Sequence, residues 1–204
     1  MITINIRDNF PEVRKALRKL PEQIGNKAMV RSLNATITQG RTDMARAISK
    51  EFRIKVGEAK DRLTVKKARA TKQSIKFEAE LQATRSGGLH GNDARGMNLI
   101  HFVTKTPTRS KKGKLSQLKF QIKRVGGPKI IMGAFIATSR KTGGTAVFVR
   151  TGKGRMPIET KTTIDIPQMF NTKRLNQAVR ASLLKRFEKN FERELRAVLK
   201  GYVK

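Results

Sequence analysis

The apolar residues in the first part of the chain recur at helical spacing. Over residues 21–52 they lie three, four or seven positions apart, which predicts one long amphipathic helix. Its apolar seam consists of Val30, Leu33, Ile37, Met44, Ile48 and Phe52. Gly40 lies on the same seam, where the missing side chain allows a neighbour to approach closely at a helix-propensity cost of about 1 kcal/mol. Shorter helices are predicted around Leu17 and over residues 56–63, which makes residues 1–63 a helical N-terminal part.

The hydrophobic period changes to two in the central part, residues 64–167. In SIKFEAELQATR (74–85) and again in QLKFQIKR (117–124), apolar and polar residues alternate, as in half-buried antiparallel strands. The other strand-like segments are 99–103, 129–139, 145–150 and 158–166. We therefore expect a central antiparallel sheet of about five strands, with mobile basic loops at 84–98 and 104–116.

The clearest pattern is the last one, which predicts a single long helix over residues 171–203. Its apolar stripe, mostly at steps of three and four, contains Leu175, Val179, Leu183, Leu184, Phe187, Phe191, Leu195, Val198, Leu199 and Tyr202. We expect Phe187, Phe191 and Leu195, together with Gly40, to pack in the core; a coiled coil with another subunit is the alternative. The fold class is α+β, in a single domain over residues 1–204.

The net charge narrows the choice of partners. The chain has 46 Lys and Arg residues against 15 Asp and Glu, a net charge of +31. Such a chain is expected to bind polyanions: nucleic acid, an acidic protein surface or anionic lipid. Residues 101–155 hold 14 basic side chains, and no acid occurs between Asp93 and Glu159. The middle of the chain is therefore purely basic, while both ends carry mixed charge.

The candidate contacts to double-stranded DNA or to an acidic partner come from this basic middle. They are Arg109, Lys111, Lys112, Lys114, Lys123, Arg124, Lys129, Arg140, Lys141, Lys153 and Arg155. Tryptophan is absent and Tyr202 is the one tyrosine, so base-stacking platforms are poorly supported. We expect contact with phosphates that does not read the sequence and that depends strongly on salt.

The segment Gly152-Lys153-Gly154 resembles part of a phosphate-binding loop but lacks its context. Such a loop carries a Ser or Thr after its Lys and opens a helix whose N-terminus receives the phosphate. Here Arg155, Met156 and Pro157 follow, and then strand-like sequence. We interpret the segment as a turn between two strands, with glycines supplying positive φ.

Composition and the pattern of acids point away from an enzyme. The chain has no cysteine, which excludes disulfides, a thiol nucleophile and thiolate metal ligands. Glu78 and Glu80 are expected on an exposed strand face, and His101 is expected to face solvent. A nuclease using Glu159 or Asp165 is a weaker alternative, because a metal site needs clustered carboxylates. We expect a non-enzyme without a cofactor.

Membrane insertion and secretion are not expected either. No apolar stretch approaches the roughly 18 residues of a membrane span. The first residues, MITINIRDNF, lack the long apolar core of a secretory signal. We therefore expect no membrane partner.

Three segments in order carry a family resemblance: GAFIATS (133–139), VFVRTGKGRMPIE (147–159) and IPQMF (166–170). With the long final helix, they make the chain resemble the minor tail protein Z family of tailed phages and prophages, over roughly residues 28–203. LIHF (99–102) and the segment 31–54 lie where that family has comparable segments. Many members carry a Tyr-Gly-Pro-Ser-like turn before IPQMF, where this chain has Thr162 to Asp165.

This resemblance implies a structural virion protein that completes the head-proximal end of a tail. It implies a ring, sixfold to match the tail tube, at the head–tail joint or neck, where the DNA end enters. The implied partners are tail terminator, tail tube and neck proteins, for a chain made in the host cytoplasm. From the charge alone, a sequence-nonspecific nucleic-acid-binding protein, nucleoid- or ribosome-associated, is the alternative function.

Overall fold

The computed structural model describes residues 3–6, 22–70, 75–83, 96–105, 117–139 and 143–202. The chain forms two compact units. The helical unit consists of Met1–Ala47, Leu63–Thr84 and Phe170–Lys204. The sheet unit consists of Ile48–Arg62 and Arg85–Met169. The predicted helix around Leu17 and most of the predicted loops at 84–98 and 104–116 lie outside the described residues, and a single domain over the whole chain stays a prediction.

Long helices near both ends of the chain confirm that part of the α+β prediction. The helices in the described residues are α1 (Glu22–Glu51), α2 (Val56–Asp61), α3 (Ile166–Phe170) and α4 (Lys173–Tyr202), with a 3-10 helix at Leu99–Phe102. Both long helices follow from apolar positions that repeat over many turns. None of the helices described is both long and apolar enough to cross a membrane.

The strands are short and form several small antiparallel sheets. They are β1 (Thr3–Ile6), β2 (Leu63–Lys66), β3 (Arg69–Ala70), β4 (Ile75–Lys76), β5 (Ala79–Ala83), β6 (Met97–Asn98), β7 (Val103–Lys105), β8 (Lys119–Phe120), β9 (Lys129–Ile130), β10 (Ala134–Thr138), β11 (Thr145–Arg150), β12 (Ile158–Thr160) and β13 (Thr162–Thr163). The three-stranded sheets have the orders β1-β5-β2, β7-β8-β9 and β10-β11-β12, and the strand pairs are β3-β4 and β6-β13.

The predicted single sheet of about five strands is therefore wrong. The segment 74–85 illustrates the reason: it splits into β4 and β5, which pair with different partners. In β5 the alternation fails as well, because Leu81, Gln82 and Ala83 are all buried in the centre of a sheet. Farther on, Gly126-Gly127-Pro128 and Gly133 break the apolar runs into short strands.

The predicted strand at 99–103 is also wrong over its first four residues. Asn98 starts the 3-10 helix there, because its side-chain Oδ1 accepts a hydrogen bond from the backbone N–H of Ile100 at 2.9 Å. The same oxygen accepts from the N–H of Val147 at 3.0 Å and so ties the turn to β11. Leu99 and Phe102, three residues apart, are both buried on this helix.

In the helical unit, α1 packs against α4 through the predicted apolar faces. Phe187 and Phe191 are buried, with ring centroids 6.1 Å apart, and Leu195 is half-buried. Asn190 Nδ2 donates to Thr36 Oγ1 at 2.9 Å across the two helices. Leu184 belongs to the predicted stripe but is 41% exposed. It directly follows Leu183, and adjacent positions on a helix point about 100° apart.

Candidate basic interaction surface

The described basic residues of the middle region lie on the strands, loops and turns of two antiparallel sheets of the sheet unit, β7-β8-β9 and β10-β11-β12. In the first sheet, Lys119 pairs with Ile130 and Phe120 with Lys129. In the second sheet, β10 and β11 form a hairpin, with Gly133 at φ +72° and Gly143 at φ +65°.

The loop between β8 and β9, residues 121–128, is fastened to the C-terminal end of α1. Phe52 and Lys123 form an antiparallel bridge there. Beside it, the N–H of Arg53 donates to the carbonyl of Ile122 at 2.8 Å, and the N–H of Arg124 donates to that of Glu51 at 2.9 Å. This β8–β9 loop is therefore joined to the helix end by backbone hydrogen bonds.

Arg124 has a structural role at this junction. Its Nε donates to the carbonyl oxygen of Ser49 at 2.7 Å. The last carbonyls of a helix have no partner within the helix, and a cation at that end also interacts favourably with the helix dipole. Arg124 thus caps α1 with both its backbone and its side chain, although its side chain is exposed. Its predicted contact with a polyanion stays a prediction.

The side chain of Gln121 also stabilises this loop, through three hydrogen bonds. Its Nε2 donates to the carbonyl of Gly126 at 2.8 Å and to that of Arg124 at 3.3 Å, while its Oε1 accepts from Arg53 at 3.0 Å. Gly126 adopts φ +99°, a value that favours glycine. Val125 lies between these braced positions and is 89% exposed.

The turn that contains Gly152-Lys153-Gly154 joins β11 to β12, as predicted, and Arg150 pairs with Ile158 at its base. Its seven residues, 151–157, are all exposed. The expected positive φ at Gly152 and Gly154 is wrong, since neither residue adopts it. A connection of this length reverses the chain without the left-handed residues that a two-residue turn requires. A strand follows the turn where a phosphate loop would have a helix.

Five candidate contact residues are described, and all five are exposed. They are Lys123, Arg124, Lys129, Lys153 and Arg155. None of these five forms an ion pair with an acidic residue in the part of the chain that the structure describes. The remaining candidates lie outside that part: Arg109, Lys111, Lys112, Lys114, Arg140 and Lys141.

Among the described residues of this region, Arg150 has an aromatic partner. Its guanidinium carbon lies 4.6 Å from the centroid of the Phe135 ring, a cation–π arrangement. Phe135 in turn faces Phe148 across the β10–β11 pair, with centroids 6.1 Å apart. Phe148 and Arg150 therefore share one strand face.

Exposed apolar side chains beside these cations are the feature that sequence reasoning missed. Val125, Met132, Met156 and Ile130 are 89%, 74%, 67% and 45% exposed. Periodicity places Ile130 and Met132 in an apolar strand and therefore predicts burial. The break at Gly126-Gly127-Pro128 could have indicated that these residues are exposed. The strand that follows it, β9, has two residues, and both are exposed.

The two carboxylates considered for a nuclease have structural partners. Asp165 is buried and caps α3: its Oδ1 accepts from the N–H of Ile166 at 2.8 Å, and Gln168 accepts from its N–H at 3.0 Å. The bond from the N–H of Asp165 to Gln168 is the reciprocal half of a capping box, and its spacing is recognisable in the sequence as Asp-Ile-Pro-Gln. Arg62 also lies 3.5 Å from the carboxylate. Glu159 is exposed and pairs with Lys161 at 3.2 Å.

The other acids considered also have partners. Glu78 and Glu80 are half-buried, not exposed as expected, and Glu80 lies 3.3 Å from the ammonium of Lys66. His101 pairs with Glu58. The hydrogen bond from His101 holds the pKa of Glu58 below its ordinary value of 4.5; burial opposes it, and the charges of His101, Arg62 and Lys55 act in the same direction. Within the described residues, no cluster of three His, Asp or Glu could hold a metal.

Comparison with models of protein families identifies the family of this chain. A family model described as prophage minor tail protein Z (GPZ) matches residues 12–204, nearly the whole chain. No curated protein and no solved structure matches this chain. The matched region contains all of the described strands except β1.

Proposed function

The chain belongs to the prophage minor tail protein Z family, and on that premise we propose that it completes the head-proximal end of a phage tail. In this proposal the chain is one subunit of a ring, sixfold to match the tail tube, at the joint between head and tail. It is a structural component of the virion without catalytic activity, synthesised in the host cytoplasm. Its partners are the tail terminator, tail tube and neck proteins and the end of the double-stranded DNA.

One observation carries the contact with DNA: the exposed basic turn between β11 and β12. Lys153 and Arg155 are fully available there, with no ion-pair partner among the described acids. The sequence from residue 94 to residue 158 has no acid that could neutralise them. Lysine and arginine side chains presented in this way bind phosphates irrespective of base sequence. A DNA end that must be held whatever its sequence needs that chemistry.

The partners of the acids support a structural role. Asp165 caps a helix, Glu80 and Glu159 pair with lysines, and Glu58 pairs with His101. Each of these four carboxylates is engaged with a neighbouring group of the fold. General acid–base or metal-dependent chemistry would need such groups turned toward a shared site.

Deletion of the gene from an inducible prophage tests the proposal. We expect induced cells to accumulate filled heads and separate tails, and a plasmid copy of the wild-type chain to restore joined particles. A plasmid copy with Lys153→Ser and Arg155→Ser should join heads to tails but hold the DNA end less firmly, measured as premature DNA loss from purified particles. Normal yields of joined, infectious particles without the gene would contradict the proposal and favour a free nucleic-acid-binding protein.

A further inference from the structure

The hairpin formed by β8 and β9 presents apolar side chains to solvent. Val125 is 89% exposed, Met132 is 74% exposed and Ile130 is 45% exposed. Isolated exposed apolar residues are ordinary on protein surfaces, but several within one short hairpin indicate an interaction site. The arrangement of these three residues therefore matters more than their number.

Two of them lie on the outward face of the hairpin. Ile130 is directly opposite Lys119 in the register, and Gln117 Nε2 lies 3.5 Å from the sulfur of Met132. The alternate residues on β8 and just before it, Phe120 and Leu118, point inward and are 3% and 2% exposed. Ile130 and Met132 thus have cross-strand polar neighbours on one exposed face, above a buried layer.

The third, Val125, stands on a loop that is already fixed. Hydrogen bonds made by Arg53 and Arg124 hold the loop to the end of α1 just before Val125, and the side chain of Gln121 holds Gly126 just after it. A side chain held in place before binding loses little conformational entropy when a partner covers it.

The charges around these residues define the partner. Lys119, Lys123 and Lys129 are exposed on the hairpin, and no acid occurs in residues 94–158. The chain as a whole carries +31, so a second copy is electrostatically unfavourable. A phosphate backbone would satisfy the lysines but would offer no apolar surface to Met132 or Ile130. An acidic protein surface with apolar pockets satisfies both groups.

We propose that the outward face of the β8–β9 hairpin, with Val125, Ile130 and Met132 as apolar anchors and Lys119 and Lys123 as its rim, docks on an acidic protein. The inference rests on the proposed function in one respect: the partner is another protein of the same particle. It assigns the two basic hairpins different tasks. The β8–β9 hairpin binds protein, and the turn between β11 and β12 binds DNA.

Site-specific photo-crosslinking in assembled particles tests this assignment. A benzophenone amino acid replaces Val125 or, separately, Met132 in the plasmid copy that complements the deleted prophage. After irradiation we expect a crosslink to a different protein of the particle, at a peptide whose surroundings are acidic. Crosslinks only to DNA, only to a second copy of this chain, or to nothing would overturn the proposal.

A matched pair of variants separates the two hairpins. Val125→Ser with Met132→Ser should reduce incorporation of the chain into particles about tenfold or more, yet leave binding of the purified chain to a 30-bp duplex within about twofold. Lys153→Ser with Arg155→Ser should weaken binding to the duplex but leave incorporation of the chain into particles nearly unchanged. Loss of duplex binding in the first pair would mean that the apolar residues insert into DNA, and the inference would be wrong.

The outcomes distinguish this inference from the proposed function. If the chain is present at the joint but position 125 crosslinks to nothing, the docking surface is wrong and the tail role stands. If the chain is absent from particles, both the docking surface and the proposed role in the tail are wrong. Circular dichroism and the thermal midpoint of each purified variant show that the exposed substitutions leave the fold intact.

Discussion

Gly40 and Leu183 lie so close that a methyl group on Gly40 would fall 2.5 Å from Cδ2 of Leu183. Both residues are buried where α1 packs against α4. Gly40→Ala should lower the free energy of unfolding by about 1–3 kcal/mol through overpacking, even though alanine favours helices by about 1 kcal/mol. Chemical denaturation measures the change.

Gly57→Ala is the matched control for this substitution. Gly57 is also helical, in α2, but a methyl group there would meet nothing within 4 Å. It should therefore stabilise the protein by about 0.5–1 kcal/mol. In a Leu183→Ala background, Gly40→Ala should lose most of its effect. Equal effects of Gly40→Ala and Gly57→Ala would show that the two helices do not cross this closely.

Gly96 should tolerate no side chain. A methyl group there would lie 1.9 Å from the backbone oxygen of Thr163, where β6 pairs with β13. A backbone atom in a strand pair cannot yield as the end of a leucine can, so Gly96→Ala should cost about 2–4 kcal/mol. Thermal and chemical unfolding measure it. A destabilisation below about 1 kcal/mol would contradict the pairing of β6 with β13.

Arg124 should contribute to stability through its cap on α1. Arg124→Ala removes the hydrogen bond to Ser49 and should lower the free energy of unfolding by about 1–2 kcal/mol. Lys123→Ala, at the neighbouring exposed cation, should change it by less than about 0.5 kcal/mol. Hydrogen exchange at the end of α1 should accelerate in the first variant alone. Equal stability and equal hydrogen exchange in the two variants would show that Arg124 does not cap α1.

The pair of Glu58 and His101 should make part of the stability depend on acid pH. The pKa of Glu58 is lowered in the folded protein, so folding favours the carboxylate. Its contribution is complete above the ordinary value of 4.5 and is lost as the pH falls from there through the lower folded pKa. Glu58→Gln should therefore cost about 0.5–1 kcal/mol near pH 5.5 and less near pH 3. An equal cost at both pH values would contradict the pairing.

Lys153 and Arg155 should each contribute to the salt dependence of DNA binding. Replacing both with serine should reduce the slope of log Kobs against log salt by about two, because each phosphate that a cation neutralises adds about one to that slope. Fluorescence anisotropy with a 30-bp duplex measures the slope. Lys161→Ser is the control, because that lysine is already paired with Glu159. An unchanged slope in the double variant would show that this turn does not bind DNA.

The long helices were predictable because their apolar residues repeat over many turns. One misplaced residue, such as Leu184, does not disturb a stripe that contains Leu183, Phe187 and Phe191. The turn between β11 and β12 was also predictable, since its glycines separate two apolar segments. In these cases the residues that determine each element are close together in the sequence, and the structure confirms the prediction.

The division into several small sheets depends on pairing between distant residues. β5 pairs with both β1 and β2, which lie far from it in sequence, and no local pattern specifies that choice. The role of Arg124 depends in the same way on the end of a helix about 75 residues earlier. The cap that Asp165 and Gln168 form on α3 differs, because both residues are close in sequence and Pro167 in the first helical turn could have revealed the start of the helix.

Cryo-electron microscopy of intact particles is the decisive measurement for the role at the head-proximal end of the tail. Each subunit should be recognisable by its two helices of 30 residues, each about 45 Å long. We expect a ring of such subunits where the tail meets the head, with the turn that carries Lys153 and Arg155 toward the DNA. Density for this chain elsewhere in the particle, or its absence from a fully joined particle, would contradict that role.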